Sequence, residues 1–470
     1  SIDGESGYAS IYVNGAPNAG PLAFSGIPSD PTIRIGVRMT NSGFFQGSFD
    51  DLRVYAGALA ADEIAAIRAD GYFSGGRGTA ASPYLVATPM DLYNVRRFPA
   101  AHFRQTADID LSANAMTSTW APIVGPFTGT YDGGGRSVSN VALGALSKAG
   151  SGFFEQISPG GVVRNLTMTT VSGSSSAENL GALAGIITSA TISDITITGI
   201  DLTGTIYIGG LAGTCSNSAL TRINVEGAIA SSATLATYLG GMAGQLSGTA
   251  VSCVAAVNVG PAAGTTSPNT QQVGGFAGSI REFSDIVDCH ARGNILYGGA
   301  GNGLHIGGFA GQISQQAALQ IQVRACTSSG SVATNEADYV GGFSGQLYAT
   351  SNAIDLLIDD CSSTSTVTAP NGQYIGGFAG LAGIHTSGAG KNRITSSRST
   401  GTVSANGTNS GSFVGGFIGY AKEGTVIEEC SSTSNVSAKS QFIGGFAGAL
   451  GSDAAAVGAP GSIKRSYATG

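Results

Sequence analysis

One six-residue phrase returns along most of the chain and constrains the fold more than any other feature. It runs aliphatic, Gly, Gly, bulky apolar, small, Gly: IGGLAG at Ile208–Gly213, LGGMAG at Leu239–Gly244, VGGFAG at Val273–Gly278, then further copies beginning at Ile306, Val340, Ile375, Val414 and Ile443. A looser first copy is LGALAG at Leu180–Gly185. The closing glycines recur at steps of 28 to 39 residues. A period of that size signals a solenoid, a propeller or an array.

Aligned copies define buried columns. The aliphatic position is Leu180, Ile208, Leu239, Val273, Ile306, Val340, Ile375, Val414 or Ile443. Two residues before the closing glycine stand Leu183, Leu211 and Met242, then Phe276, Phe309, Phe343, Phe378, Phe417 and Phe446. If coils stack in register, strands lie about 4.8 Å apart and these phenylalanines form a continuous core ladder. The double glycine permits either a bend or a close approach of backbone where a Cβ would clash.

A second column holds Cys253, Cys289, Cys326, Cys361, Ser397 and Cys430, with Ala250, Ile286, Val323, Ile358, Ile394 and Ile427 three residues earlier. An odd offset places two strand residues on opposite faces. Both columns point inward only if the chain turns a corner between them, and Asp359-Asp360, Glu428-Glu429 and Arg324 supply the charge such a corner wants. The cysteines read as stacked reduced thiols, because parallel in-register neighbours aim their Cβ atoms the same way and disfavour a bridge; disulfides between adjacent coils are the alternative.

Immediately before each aliphatic residue stand Tyr207, Tyr238, Gln272, His305, Tyr339, Tyr374, Phe413 and Phe442. Alternation turns them away from the core. This stripe is a candidate for ligand stacking, above all on a flat sugar chain, or for assembly against a neighbour; stacking within the structure is the favoured reading.

The fold class expected is all-β: a parallel β-solenoid of about nine to ten coils, preceded by a partial antiparallel β-sandwich. Residues 1–72 read as the sandwich segment, 73–84 as a glycine-rich linker, 85–145 as an N-terminal cap with the first coils, and 146–470 as the repeats, broken off mid-coil at SIKRSYATG. Asn14-Gly15 is a hairpin signal. Thr88-Pro89-Met90-Asp91 reads as a capped helix start, with Met90, Leu92, Val95 and Phe98 as its apolar side.

Two resemblances sharpen these expectations. IYVNG (Ile11–Gly15), IRIG (Ile33–Gly36), FDDLRVYAGAL (Phe49–Leu59) and ADEI (Ala61–Ile64) resemble the C-terminal half of a LamG-like jelly roll of the concanavalin A type. That resemblance implies binding of sugars or proteins through end loops, sometimes with calcium. Asp50 and Asp51 are the candidate carboxylates, but a turn and a pair with Arg53 account for them, so no metal site and no cofactor is assigned. SPYLVATPMDLYNV, ADIDLS, the Trp120–Gly135 stretch and the glycine repeats together resemble the GLUG-motif proteins of bacterial surface and secreted polypeptides. The resemblance implies a β-solenoid in adhesin-like extracellular proteins and transfers no catalytic residue.

Chemistry is sparse. His102, His290, His305 and His385 sit in no motif, and HExxH, GxSxG and GxxxxGK[ST] do not occur. Asp108 and Asp110 share a strand face without a basic partner nearby in sequence. Asp355, Asp359 and Asp360 are the densest carboxylates, at a corner that needs charge anyway. No catalytic and no metal residue is assigned, and the chain is expected not to be an enzyme.

A net charge of −7 argues against nucleic acid, and no apolar run of membrane-spanning length occurs. Charged residues make up 11% against about 25% in ordinary domains, so Ser, Thr, Asn and Gly must supply the polar surface. The expected role is an adhesin-like protein, secreted or on the bacterial cell surface, whose rigid stalk carries a module for a glycan or surface-protein ligand. A head-to-tail extracellular filament subunit is the alternative, and a carbohydrate-active β-helix enzyme the third reading.

Overall fold

The computed structural model describes residues 2–3, 8–13, 16–23, 71–112, 119–144, 149–232, 237–261, 271–281, 283–297, 304–315, 320–349, 355–384, 391–451 and 461–470. The chain forms two compact units, Ser1–Leu85 and Val86–Gly470. In the first, Ile2–Asp3, Tyr8–Val13 and Ala16–Ala23 make an antiparallel three-stranded sheet. Val13 lies opposite Ala16; Asn14 and Gly15, the hairpin signal, lie outside the described residues. The stretch read as a linker folds back on itself: the Ser74 amide donates to the Leu85 carbonyl, the Leu85 amide donates to that of Gly75, and Phe73 stacks on Tyr84 at 4.5 Å.

The second unit is the parallel β-solenoid that the repeat requires. One coil comprises Tyr339–Gly341, Ser344–Ala349, Leu356–Asp359, Ser362–Ser363 and Thr366–Thr368. Each segment pairs in parallel with its counterpart in the next coil: Val340 with Ile375, Ser344 with Ala379, Ile358 with Ile394, Ser363 with Ser399 and Val367 with Val403. The strands bearing the aliphatic-Gly pair form a ten-stranded file from Gly150–Ser151 to Phe442–Gly444. The coil opened by Gly150 was not legible as a repeat, because Ser151-Gly152-Phe153-Phe154 departs from the phrase. Its Phe153 is covered by Trp120, stacked at 5.1 Å, whose Nε1–H donates to the Phe153 carbonyl.

Phe276, Phe309, Phe343, Phe378 and Phe417 are fully buried and stack at 4.7 to 4.8 Å with interplanar angles of 2°. Phe446 continues the file at 4.9 Å and 13°. Isolated aromatic pairs prefer offset or edge-on contacts; here the strand repeat sets the ring spacing.

The glycines serve close approach of backbone. A Cβ on Gly341 would lie 1.9 Å from the Ser344 carbonyl oxygen, one on Gly342 2.1 Å from that of Gly377, and one on Gly345 2.6 Å from both Gly311 O and Ile306 N. None of the three is in the left-handed region, so the motif is no positive-φ bend.

The corner is where the offset of the Cys column places it. Asn165, Asp194, Arg222, Ser252, Asp288, Ala325, Asp360, Ser396, Glu429 and Arg465 hold φ between 47° and 57° at this one position of ten successive coils. Asn and Asp tolerate this region best. Arg, Ala and Glu occupy it because the paired strands on both sides leave no other path.

The helix Pro89–Asn94 has the expected capping box, with Thr88 and Asp91 each accepting from the other's backbone N–H. Leu92 and Val95 are buried, but Met90 is 50% exposed and does not share their side, since i and i+2 lie on different faces of a helix.

Candidate functional site

Three sets of residues are candidates: the outward aromatic stripe, the cysteine file and the carboxylates. Each stripe residue precedes a buried aliphatic in a short strand, so alternation turns it outward. Tyr207, Tyr238, His305, Tyr339, Tyr374 and Phe413 are half-buried, and Phe442 is exposed. Their rings lie face to face: Tyr207–Tyr238 at 4.7 Å, His305–Tyr339 at 4.7 Å, Tyr339–Tyr374 at 5.3 Å, Tyr374–Phe413 at 5.4 Å and Phe413–Phe442 at 4.6 Å. Gln272 interrupts the stack and donates Nε2–H to Gln312, which donates in turn to Gln346.

This Gln312–Gln346 file follows the closing glycine and runs beside the rings. In later coils the same column carries Leu381 and Tyr420, and Tyr420 stacks on Phe413 at 5.1 Å and Tyr374 at 5.9 Å. Cations flank both parts: the Arg281 guanidinium lies 5.9 Å over Tyr238 and the Lys422 ammonium 5.5 Å over Tyr420. Burial, with the neighbouring Tyr238 hydroxyl second, raises the Tyr207 pKa; burial, with Asp338 second, raises that of Tyr339. The interior rings spend their faces on one another. What the stripe offers outward is ring edges and hydroxyls flanked by amides, a surface suited to polar and edge-on contact.

The cysteines do more than fill space. Among the described residues all six are buried and free. Each thiol after the corner donates to the carbonyl two residues earlier: Cys289 to Val287, Cys326 to Arg324, Cys361 to Asp359 and Cys430 to Glu428, at 3.2 to 3.4 Å. Ser397 makes the same bond to Thr395 at 2.8 Å. The column also accepts from the preceding coil, Cys326 Sγ from the Cys289 amide and Ser397 Oγ from the Cys361 amide. The carbonyls reached this way already accept a corner amide of the preceding coil, as Arg324 does from Asp288 and Asp359 from Ala325, so the small donor–acceptor side chain adds to that ladder and receives the amide that follows the corner. That requirement, which sequence reasoning missed, explains Cys and Ser alternating at one position. Burial raises the pKa of Cys215 to about 12 and of Cys430 to about 11, so these thiols are protonated and poor nucleophiles at neutral pH.

The carboxylates are spoken for. Asp108 accepts from the Ser137 amide and hydroxyl, and Asp110 from Asn140 and the Ser112 amide; those bonds hold both below the usual carboxylate range. Asp355 pairs with Arg393 at 3.3 Å, Asp359 accepts from Thr395 Oγ1, and Asp360 is a corner residue. His290 contacts Thr327 and Asp288. Among the described residues no three His, Cys, Asp or Glu side chains converge as a metal site would need. Asp50, Asp51 and His385 lie outside the described residues. No helix among those described is long and apolar enough to cross a membrane.

Comparison with known proteins bears on both units. Residues 1–65 match the family described as the Concanavalin A-like lectin/glucanases superfamily, Laminin_G_3. The chain is 33% identical over 162 residues to "Halomucin" of Haloquadratum walsbyi, which covers 31% of this chain and 2% of that protein. It is 35% identical over 124 residues to a "Putative Gly-rich membrane protein" of Evansella cellulosilytica, covering 24% of this chain and 14% of that one. The matched stretches are thus a small fraction of both relatives' length. A crystal structure from Bacteroides ovatus, described as "a putative immunoglobulin A1 protease", superposes with a TM-score of 0.38 and 19% identity over 64% of this chain and 81% of that one, a likeness too distant to carry an argument.

Proposed function

We propose that this chain belongs to a non-enzymatic surface or secreted protein, adhesin-like in role, in which the GLUG-type solenoid is a stiff scaffold and the LamG-like segment engages a glycan. The observation that carries this reading is the unbroken parallel register of ten successive strands, the last six over a file of stacked phenylalanines, in one chain with a stretch matching a lectin and glucanase superfamily. A solenoid's stability sums over neighbouring coils, which suits a spacer whose length is set by coil number. The relatives' names, a halomucin and a membrane protein, support a place at the cell surface.

Pull-down of the full chain with insoluble chitin, cellulose and xylan tests the reading. Retention on at least one, with no reducing sugar released, is expected. No retention on any of them removes the glycan-binding role, and sugar release replaces the scaffold with an enzyme.

A further inference from the structure

Away from the stripe and the cysteine file, a cleft of about 460 Å³ opens at another corner of the solenoid, lined by Asn217, Ser218, Ala219, Gly248, Thr249 and Phe283. Its volume lies in the range of small-ligand clefts, about 300–1,000 Å³. Three successive coils contribute a residue with positive φ here: Asn217 at 49°, Gly248 at 116° and Phe283 at 60°. Glycine adopts such a backbone freely and asparagine tolerates it, but for phenylalanine it is uncommon.

Phe283 is also 60% exposed, while five core phenylalanines of the solenoid are fully buried. Beside it the Ser284 hydroxyl, itself buried, donates to the Arg281 carbonyl. Asn217 and Thr249 are exposed at the same cleft and add an amide and a hydroxyl.

We infer that this cleft binds a pyranose ring of a neutral glycan. A pyranose presents an apolar C–H face and a rim of hydroxyls. The Phe283 ring offers the apolar surface, and Asn217 and Thr249 offer donors and acceptors for the rim. The six described lining residues are all uncharged. Of the described charges nearby, Asp285 pairs with Arg324 at 2.9 Å and Arg281 lies over the Tyr238 ring. This site belongs to the solenoid and is independent of the lectin-like segment.

Calorimetric titration of the full chain with cellohexaose, xylohexaose and chitohexaose tests it, alongside Phe283→Ala and Phe283→Tyr variants whose thermal midpoints match the parent. At least one hexasaccharide is expected to bind, with Phe283→Ala weakening it about tenfold or more and Phe283→Tyr staying within about threefold. Absence of binding to all three, or binding that Phe283→Ala leaves unchanged, overturns the inference. Binding insensitive to Phe283 would leave the proposed role of the N-terminal segment standing, so the two readings fail separately.

Discussion

At Cys361 one side chain donates to Asp359 and Val323 carbonyls, and its amide is received by Ser397. Cys361→Ser keeps a donor and acceptor of similar size and, as at Ser397, should leave stability nearly unchanged. Cys361→Ala removes the thiol and its bonds from a buried site and should cost about 0.5–1.5 kcal/mol, read from denaturant midpoints. The thiols also set a pH dependence. Burial raises the Cys430 pKa from 9.0 to about 11, so the folded state holds this proton more tightly than the unfolded state. Its contribution is fully present below pH 9 and is lost as pH rises toward 11. The thermal midpoint should therefore fall less over that window in Cys430→Ser than in the parent. A Cβ at residue 342 would meet the Gly377 carbonyl oxygen at 2.1 Å, and backbone cannot rotate aside. Gly342→Ala should thus destabilise by about 1–3 kcal/mol or more, like other overpacked sites, again read from denaturant midpoints.

At the scale of elements, the short strand before the double glycine carries the inner aliphatic and the outer ring together. Because Tyr339 and Tyr374 stack face to face, removing both should loosen the link between coils. Each stacked pair is worth about 0.5–1.5 kcal/mol beyond its buried area. The double variant Tyr339→Ala with Tyr374→Ala is expected to melt at lower temperature yet keep full glycan retention in the pull-down. Lost retention with an unchanged melting point would instead make the stripe a ligand platform. The corner element is held similarly across coils, by Asp194 with Arg222 and by Arg465 with Glu428 and Glu429. These pairs are exposed, and salt should weaken them with little effect on the fold.

For the solenoid as a whole, every coil rests only on its neighbours, so stability should vary along the stack. Amide exchange is expected to be slowest in the strands around Phe309 and Phe343, which are covered on both sides, and faster at Phe283, which is 60% exposed. Uniform exchange along the stack would contradict nearest-neighbour coupling.

Much of this architecture was readable from residue order, because stacking copies in register makes a column in the alignment a column in space. The phenylalanine file, the outward stripe, the corner between Ile358 and Cys361 and the helix cap at Thr88 follow from periodicity, parity and capping chemistry alone. Tertiary structure decided what depends on atoms brought together across coils. Only there do the stripe's rings spend their faces on one another, do the thiols meet corner carbonyls, and does Phe283 stand out beside Asn217 and Thr249, because no single repeat contains the partners that fix those side chains.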